Sequence, residues 1–355
     1  MSDTKYIGMD VQAASIRIAV RDEAGKLLME ATIATEASTI ADFVRGCRGR
    51  LQVTFEEGIP AAGLYQRRLP YVAQVLVCDP RQLPRPRGER KSDRIDARQL
   101  AEWLRLGARK AVYHEGRGSG RQALGESVRS YLPRVSDTTR VMNRRKAISR
   151  GRGIPAQGTR VYAPADRQAW LDQRREPGVR RRAELLDRQR DSRLPWRQEA
   201  KKSMIAASRK QAAQKLLLSI PTLGPVRVAI LLAVLQTPYR FRTQRKLWSY
   251  AGLVTRSSAD YQLRRGPLTR SRKPTLILGL NRNHNPGLKA IFKAAAATAV
   301  SRPGAWQAFY ARCLEQGMDP EIARVSTARK RATRVLTLGK KGERFHAEHL
   351  KPQAA

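Results

Sequence analysis

The stretch YIGMDVQAASIRIAVRDEAGKLLMEATIA, residues 6–34, decides how the first part of this chain folds. YIGMDV (6–11) is a short apolar run. SIRIAV (15–20) alternates, with Ile16, Ile18 and Val20 on one face, and EAGK turns the chain into LLMEATIA (27–34). Apolar or alternating runs separated by turn residues read as consecutive strands. One residue is out of keeping. Asp10 ends an apolar strand in a chain with 70 Lys and Arg against 30 Asp and Glu, so an acid there needs a reason.

Downstream, a helical segment from about Ser38 to Gly46 precedes LQVTF (51–55), again strand-like, and AAGLYQRRL (61–69) reads as a helix. YVAQVLVCD (71–79) reads as a buried strand, because its apolar run is continuous. PRQLPRPRGERK (80–91) holds three prolines and no apolar periodicity, which makes it a loop. Helix resumes at Ser92, a suitable N-cap, and runs to about Leu106. Three meandering strands, then helix, strand, helix, strand, helix, predict a mixed α/β sheet with helices on its faces. This is the order of ribonuclease H-like nucleases.

The 355 residues imply two to three domains, and 41% apolar content suffices for real cores. The formal charge of +40 is spread along the whole chain. A charge of that size repels itself in a compact state unless a polyanion screens it, and nucleic acid is the polyanion indicated. No apolar run approaches the ~20 residues of a membrane span, and no signal peptide is evident, so a cytoplasmic protein with no membrane partner is expected. Cys47, Cys78 and Cys313 are too scattered for a zinc site or disulfide framework and read as buried thiols. The four histidines form no metal-ligand pattern beyond HAEH (346–349), which lies in a charged tail.

From about 120 to 215 the chain is arginine-dense, as in RRRAELLDRQRDSR (180–193), with a loop at ISRGRGIPAQGTRVYAPADR (148–167). It reads as an elongated helical connector, partly coiled coil. Apolar character returns at LLLSIPTLGPVRVAILLAVL (216–235), where two helical segments meet at PTLGP. Gly224 and Pro225 allow a tight turn followed by a helix start, whose free amides can hold a phosphate, as in a helix-hairpin-helix. An ordinary buried helical hairpin fits the segment equally well.

Metal-dependent phosphoryl transfer requires carboxylates converging on one point, since Mg²⁺ takes oxygen ligands and bridges phosphates. Asp10 ends one strand. Glu56 and Glu57 close the LQVTF strand, and Asp93 and Asp96 in KSDRIDARQLAEWLR share one face of a helix. Each acid has an ordinary alternative: Asp93 and Asp96 suit the positive end of a helix dipole, Asp10 can cap a turn, and Glu56 can pair with an arginine. Together, four acids from three elements can meet over one edge of the sheet.

These residues resemble the N-terminal domain of the insertion-sequence 110 family of transposases, through GMDV, FEEG and KSDRIDARQLAEWLR in that order. The likeness continues through SRGRGIPAQGTRVYAP, SIPTLGPVRVA, FRTQRKLWSYAGLVTRSSADY and GLNRNHNPGLKAIFKAAA, nearly the whole chain. It implies a ribonuclease H-like domain of Holliday-junction-resolvase type over 1–115, a helical connector over 116–212, and a mainly α C-terminal domain over 213–355 with a helix-hairpin-helix-like segment. It also implies that Asp10, Glu56 (or the adjacent Glu57), Asp93 and Asp96 bind Mg²⁺. A serine nucleophile in TRSSADY, Ser258 or Ser257, would form a phosphoserine link to DNA. Many members carry Ser-Gly there, whereas Ala259 follows here. Implied partners are donor and target DNA, a structured guide RNA that pairs with both, and further copies of the chain, since joining two duplexes needs several sites and a tetramer would supply them.

Two other functions compete. A metal-dependent nuclease or junction resolvase would use water and make no covalent intermediate. A nucleic-acid-binding protein without chemistry would keep the basic surface, but it has no need of converging acids.

Overall fold

The computed structural model describes residues 3–56, 72–78, 93–108, 120–156, 158–173, 176–258, 261–262, 269–270 and 276–350. The expected helix at 61–69, the proline-rich loop at 80–91, Ser92 and Glu57 lie outside these residues. Contacts divide the chain into two units, 1–119 and 120–355.

The first unit is a five-stranded mixed sheet with helices on both faces. Its strands are β1 (Thr4–Val11), β2 (Ser15–Arg21), β3 (Leu27–Ala34), β4 (Arg50–Glu56) and β5 (Val72–Cys78), in spatial order β3-β2-β1-β4-β5. The β1–β2–β3 meander is antiparallel, whereas β4 pairs parallel to β1 and β5 parallel to β4. Side chains alternate across a strand, so β1 and β4 each present two different faces. Ile7 and Met9, Ile16, Ile18 and Val20, and Leu51, Val53 and Phe55 form one apolar face, covered by Ile40 and Val44 of α1 (Ala37–Gly46). On the opposite face α2 (Asp93–Arg105) packs through Ala97 and Ala101 against Ala19.

Of the 71–79 run, the described residues 72–78 are only half-buried. Among the described residues β5 lies at the edge of the sheet, with Ala73 and Gln74 exposed and burial confined to Val77 and Cys78. β1 is the central strand, and β2 beside it is likewise covered on both faces, by α1 through Ile16, Ile18 and Val20 and by α2 through Ala19. A continuous apolar run reports affinity for a sheet, not position within it.

In the second unit the arginine-dense stretch forms two long helices, α3 (Gly120–Arg150) and α5 (Pro177–Arg209), with the short α4 (Arg167–Asp172) between them. Buried positions on α3 recur at three, four or seven residues through Leu124, Val128, Tyr131, Thr138, Val141, Arg145 and Ile148, the spacing of a helix-pair seam. Their outer ends join the core of the helices that follow, since Leu124, Val128, Tyr131 and Met204 pack in one cluster with Leu217, Leu231 and Ala328. The stretch expected as a connector thus shares its core with the C-terminal segment.

The expected apolar hairpin forms as α6 (Ala213–Leu218) and α7 (Pro225–Leu235). Its turn is held from elsewhere. Arg331, fully buried, donates to the Pro221 carbonyl (2.6 Å) and to Thr222 Oγ1 (2.7 Å), while Arg227 donates to the Thr222 carbonyl (2.7 Å). Burial pushes the Arg331 guanidinium down to about 10. The unit continues with α8 (Gln244–Tyr250), β6 (Thr255–Ser258), β7 (Tyr261–Gln262), β8 (Thr269–Arg270), β9 (Leu276–Leu280), α9 (Pro286–Val300), α10 (Ala305–Glu315) and α11 (Pro320–Lys341). Among the described residues no helix is long and apolar enough to cross a membrane. Cys78 and Cys313 are buried, Cys47 partly so, and all three are free thiols.

Candidate functional site

Gly8 determines how closely α2 can approach the sheet. A Cβ at this position would stand 2.3 Å from the Ala97 carbonyl oxygen and 2.4 Å from the Ala101 amide nitrogen. Only a residue without a side chain lets a helix backbone lie this close to a strand. From this contact the two elements advance together. Asp10 is two residues further along β1, about 7 Å; Asp93 is one turn before Ala97 on α2, about 5.4 Å. Asp96 immediately precedes Ala97.

The three carboxylates therefore converge. One oxygen from each of Asp10, Asp93 and Asp96 lies within 4.8 Å of the others, and all three side chains are half-buried. Three carboxylates and no nitrogen or sulfur donor make a set suited to a hard divalent cation such as Mg²⁺. Glu56 is not in this group. The last β1–β4 pair is Met9 with Phe55, so strand alternation puts Glu56 and Asp10 side by side on the α2 face.

An acid that sequence reasoning passed over fixes the start of α2. Glu30 on β3 accepts from Arg94 Nε (2.9 Å), and from Arg98 Nε (2.6 Å) and Nη2 (2.7 Å). Arg98, with Arg94 beside it, holds the Glu30 carboxyl down at about 2. These arginines alternate with Asp93, Asp96 and Ala97 along the first turns of α2, so the clamp sets the helix's rotation about its axis. Its signal in the sequence was weak, one glutamate within the strand LLMEATIA. A cleft of roughly 200 Å³ beside the clamp is lined by Arg17, Thr32, Glu30 and Arg94.

Two variants test this construction. Gly8→Ala should destabilise the protein by about 1–3 kcal/mol, the usual cost of overpacking, and weaken divalent-cation binding, because α2 must move outward. Thermal melts with and without Mn²⁺ would measure both effects, and an unchanged Mn²⁺-induced shift would contradict the second. Glu30→Gln should lower Mn²⁺ affinity by up to about tenfold, the low end for groups that orient metal ligands. Calorimetric titration reads this directly, and wild-type affinity would mean that the clamp does not position the aspartates.

Ser257 and Ser258 lie in the second unit, on β6, where they pair with Ile277 and Leu276 of β9. They are strand residues. Gly252 itself ends α8 with φ +66° against the His284 ring, a conformation that disfavours any side chain.

Two family models match the chain. A DEDD-type transposase model matches residues 7–148, and a model described as "Transposase IS116/IS110/IS902 family" matches residues 214–311. Together they span about two thirds of the sequence. No curated protein matches it.

Proposed function

The chain belongs to the IS116/IS110/IS902 family of transposases, and from that premise we propose that it exchanges DNA strands through Mg²⁺-bound carboxylates and a serine nucleophile. As a member it is an insertion-sequence transposase, a DNA recombinase, and the DEDD family implies dependence on a divalent metal. The observation that carries the finer reading is the convergence of Asp10, Asp93 and Asp96 within 4.8 Å. Strand order β3-β2-β1-β4-β5 with antiparallel β1–β3 supports a ribonuclease H-like domain of the resolvase type.

In this reading Asp10, Asp93 and Asp96, with Glu56 from the neighbouring strand, hold the cation. Bound there, Mg²⁺ supplies Lewis-acid polarisation of a phosphoryl oxygen. Ser258 or Ser257 attacks the scissile phosphorus, forming a serine–phosphate ester as one phosphodiester bond breaks and its hydroxyl leaves. The hydroxyl of a second strand then attacks that ester, restoring a phosphodiester and releasing the serine. Phosphoester bonds are conserved in number, so no ATP is needed. The basic surface gathers donor DNA, target DNA and a structured guide RNA, and base pairing supplies the choice of site. Two duplexes require several such sites, hence a homo-oligomer, with a tetramer the natural form.

A denaturing gel with protein, Mg²⁺, the element's flanking RNA and labelled junction DNA tests this. A protein–DNA adduct should form and should disappear with Asp10→Asn and with one of Ser257→Ala or Ser258→Ala. Cleavage without an adduct, indifferent to both serines, would instead establish a water-using nuclease.

A further inference from the structure

The segment from Ile148 to Arg167, which ends α3 and runs through a loop into α4, carries four arginines and one acid, Asp166. It is nevertheless firmly built. Ala156, Val161 and Tyr162 are buried, and Tyr162 donates its hydroxyl to the Met142 carbonyl at 2.8 Å. Arg152 makes paired bonds to Glu176, at 3.1 and 3.0 Å, which tie the start of the loop to the start of α5. Lys146 and Arg190 stand over the Tyr162 ring at 5.3 and 5.6 Å.

Against this frame opens a cleft of roughly 550 Å³, lined by Pro155, Arg160, Asp166, Ala169, Trp170 and Gln173. Trp170 packs partly against the buried loop cluster and also lines the cleft. The Arg160 side chain is 86% exposed, 3.5 Å from Asp166 at its nearest approach. The cleft thus combines flat apolar surface, a carboxylate, an amide and an accessible guanidinium.

We propose that this cleft receives an unpaired nucleobase of a single-stranded segment, with an adjacent phosphate on Arg160. The chemistry matches at each point. Trp170 and Pro155 offer a stacking surface, and every base has a π-face for it. Asp166 accepts from ring or exocyclic N–H groups, and the Gln173 amide both donates and accepts, so together they can read the Watson–Crick edge of an unstacked base. A duplex buries its base faces in the stack and its edges in pairing, and cannot fill the cleft. The net positive charge of the loop favours the backbone on either side. This proposal deepens the nucleic-acid reading given above and rests on it.

Fluorescence anisotropy with a short labelled strand, made as RNA and as DNA, and with the matching duplex, tests it on the full-length chain. Trp170→Ala should weaken single-strand binding about tenfold, within the range for loss of one stacked base, with duplex affinity unchanged. Trp170→Phe should retain most of the binding. Arg160→Ala and Gln173→Ala, at exposed positions, repeat the test without disturbing the loop core. A selective loss supports the site, and whichever of RNA or DNA responds identifies the source of the base. Parallel losses for single strand and duplex, or no loss at all, would overturn it. If the wild type bound no nucleic acid at moderate salt, the underlying reading would fail as well.

Discussion

Asp93→Asn is expected to reduce strand exchange on the order of 10³-fold or more, the scale of several kcal/mol of transition-state stabilisation by a metal. Nucleic-acid affinity should change little. The substitution preserves size and removes one charge. An amide is a poor ligand for a hard cation beside Asp10 and Asp96, which lie within 4.8 Å. Phosphate contacts elsewhere on a chain of net charge +40 are untouched, and those contacts dominate binding. Junction-DNA binding and strand transfer, measured on the same preparation, separate the two quantities. If activity survived, or if affinity fell in step with it, the metal assignment would be wrong. Asp96→Asn should behave alike.

The largest stability effect is expected at Asp187. Arg145 Nε donates to both Asp187 oxygens at 3.0 Å, and the two side chains are only 1% and 4% exposed. The terminal nitrogens of Arg145 are buried with no hydrogen-bond partner among the described residues. Asp187 is therefore the main compensation for a charge enclosed between α3 and α5. Asp187→Ala leaves that charge stranded and should cost about 3–5 kcal/mol. Joint replacement by Arg145→Met and Asp187→Leu removes both charges and should recover the loss, since buried ion pairs are often matched by apolar residues of similar volume. Urea unfolding followed by circular dichroism would show it. A double variant as unstable as the single would mean that packing around Arg145, not its charge, sets the cost.

Much of this was readable from sequence because local periodicity and catalytic chemistry both leave short-range marks. The β1–β3 meander followed from alternation around Ile16, Ile18 and Val20. Asp10, Asp93 and Asp96 were conspicuous as acids in basic surroundings. What escaped depends on partners distant in the chain. The place of β5 at the end of the described strand order is set by its pairing with β4. The importance of Gly8 lies in the Ala97 and Ala101 backbone it meets. Glu30 is an unremarkable strand residue until Arg94 and Arg98 arrive, and Asp187 is lost among arginines that mostly face solvent. The paired serines could be placed on an element only by seeing β9 beside them.

The close contact at Gly8 also bears on how the protein comes into being. Asp10 emerges early from the ribosome, and its partners on α2 emerge only after the whole sheet has been made. The parallel pairing of β4 and β5 is likewise non-local and slow to form. A nascent chain, or a product truncated after β5, would carry the strands of the sheet with Asp10 and Glu56 but without Asp93 and Asp96. In the mechanism proposed above, DNA cleavage is thus withheld until α2, and after it the serines of β6, have been made.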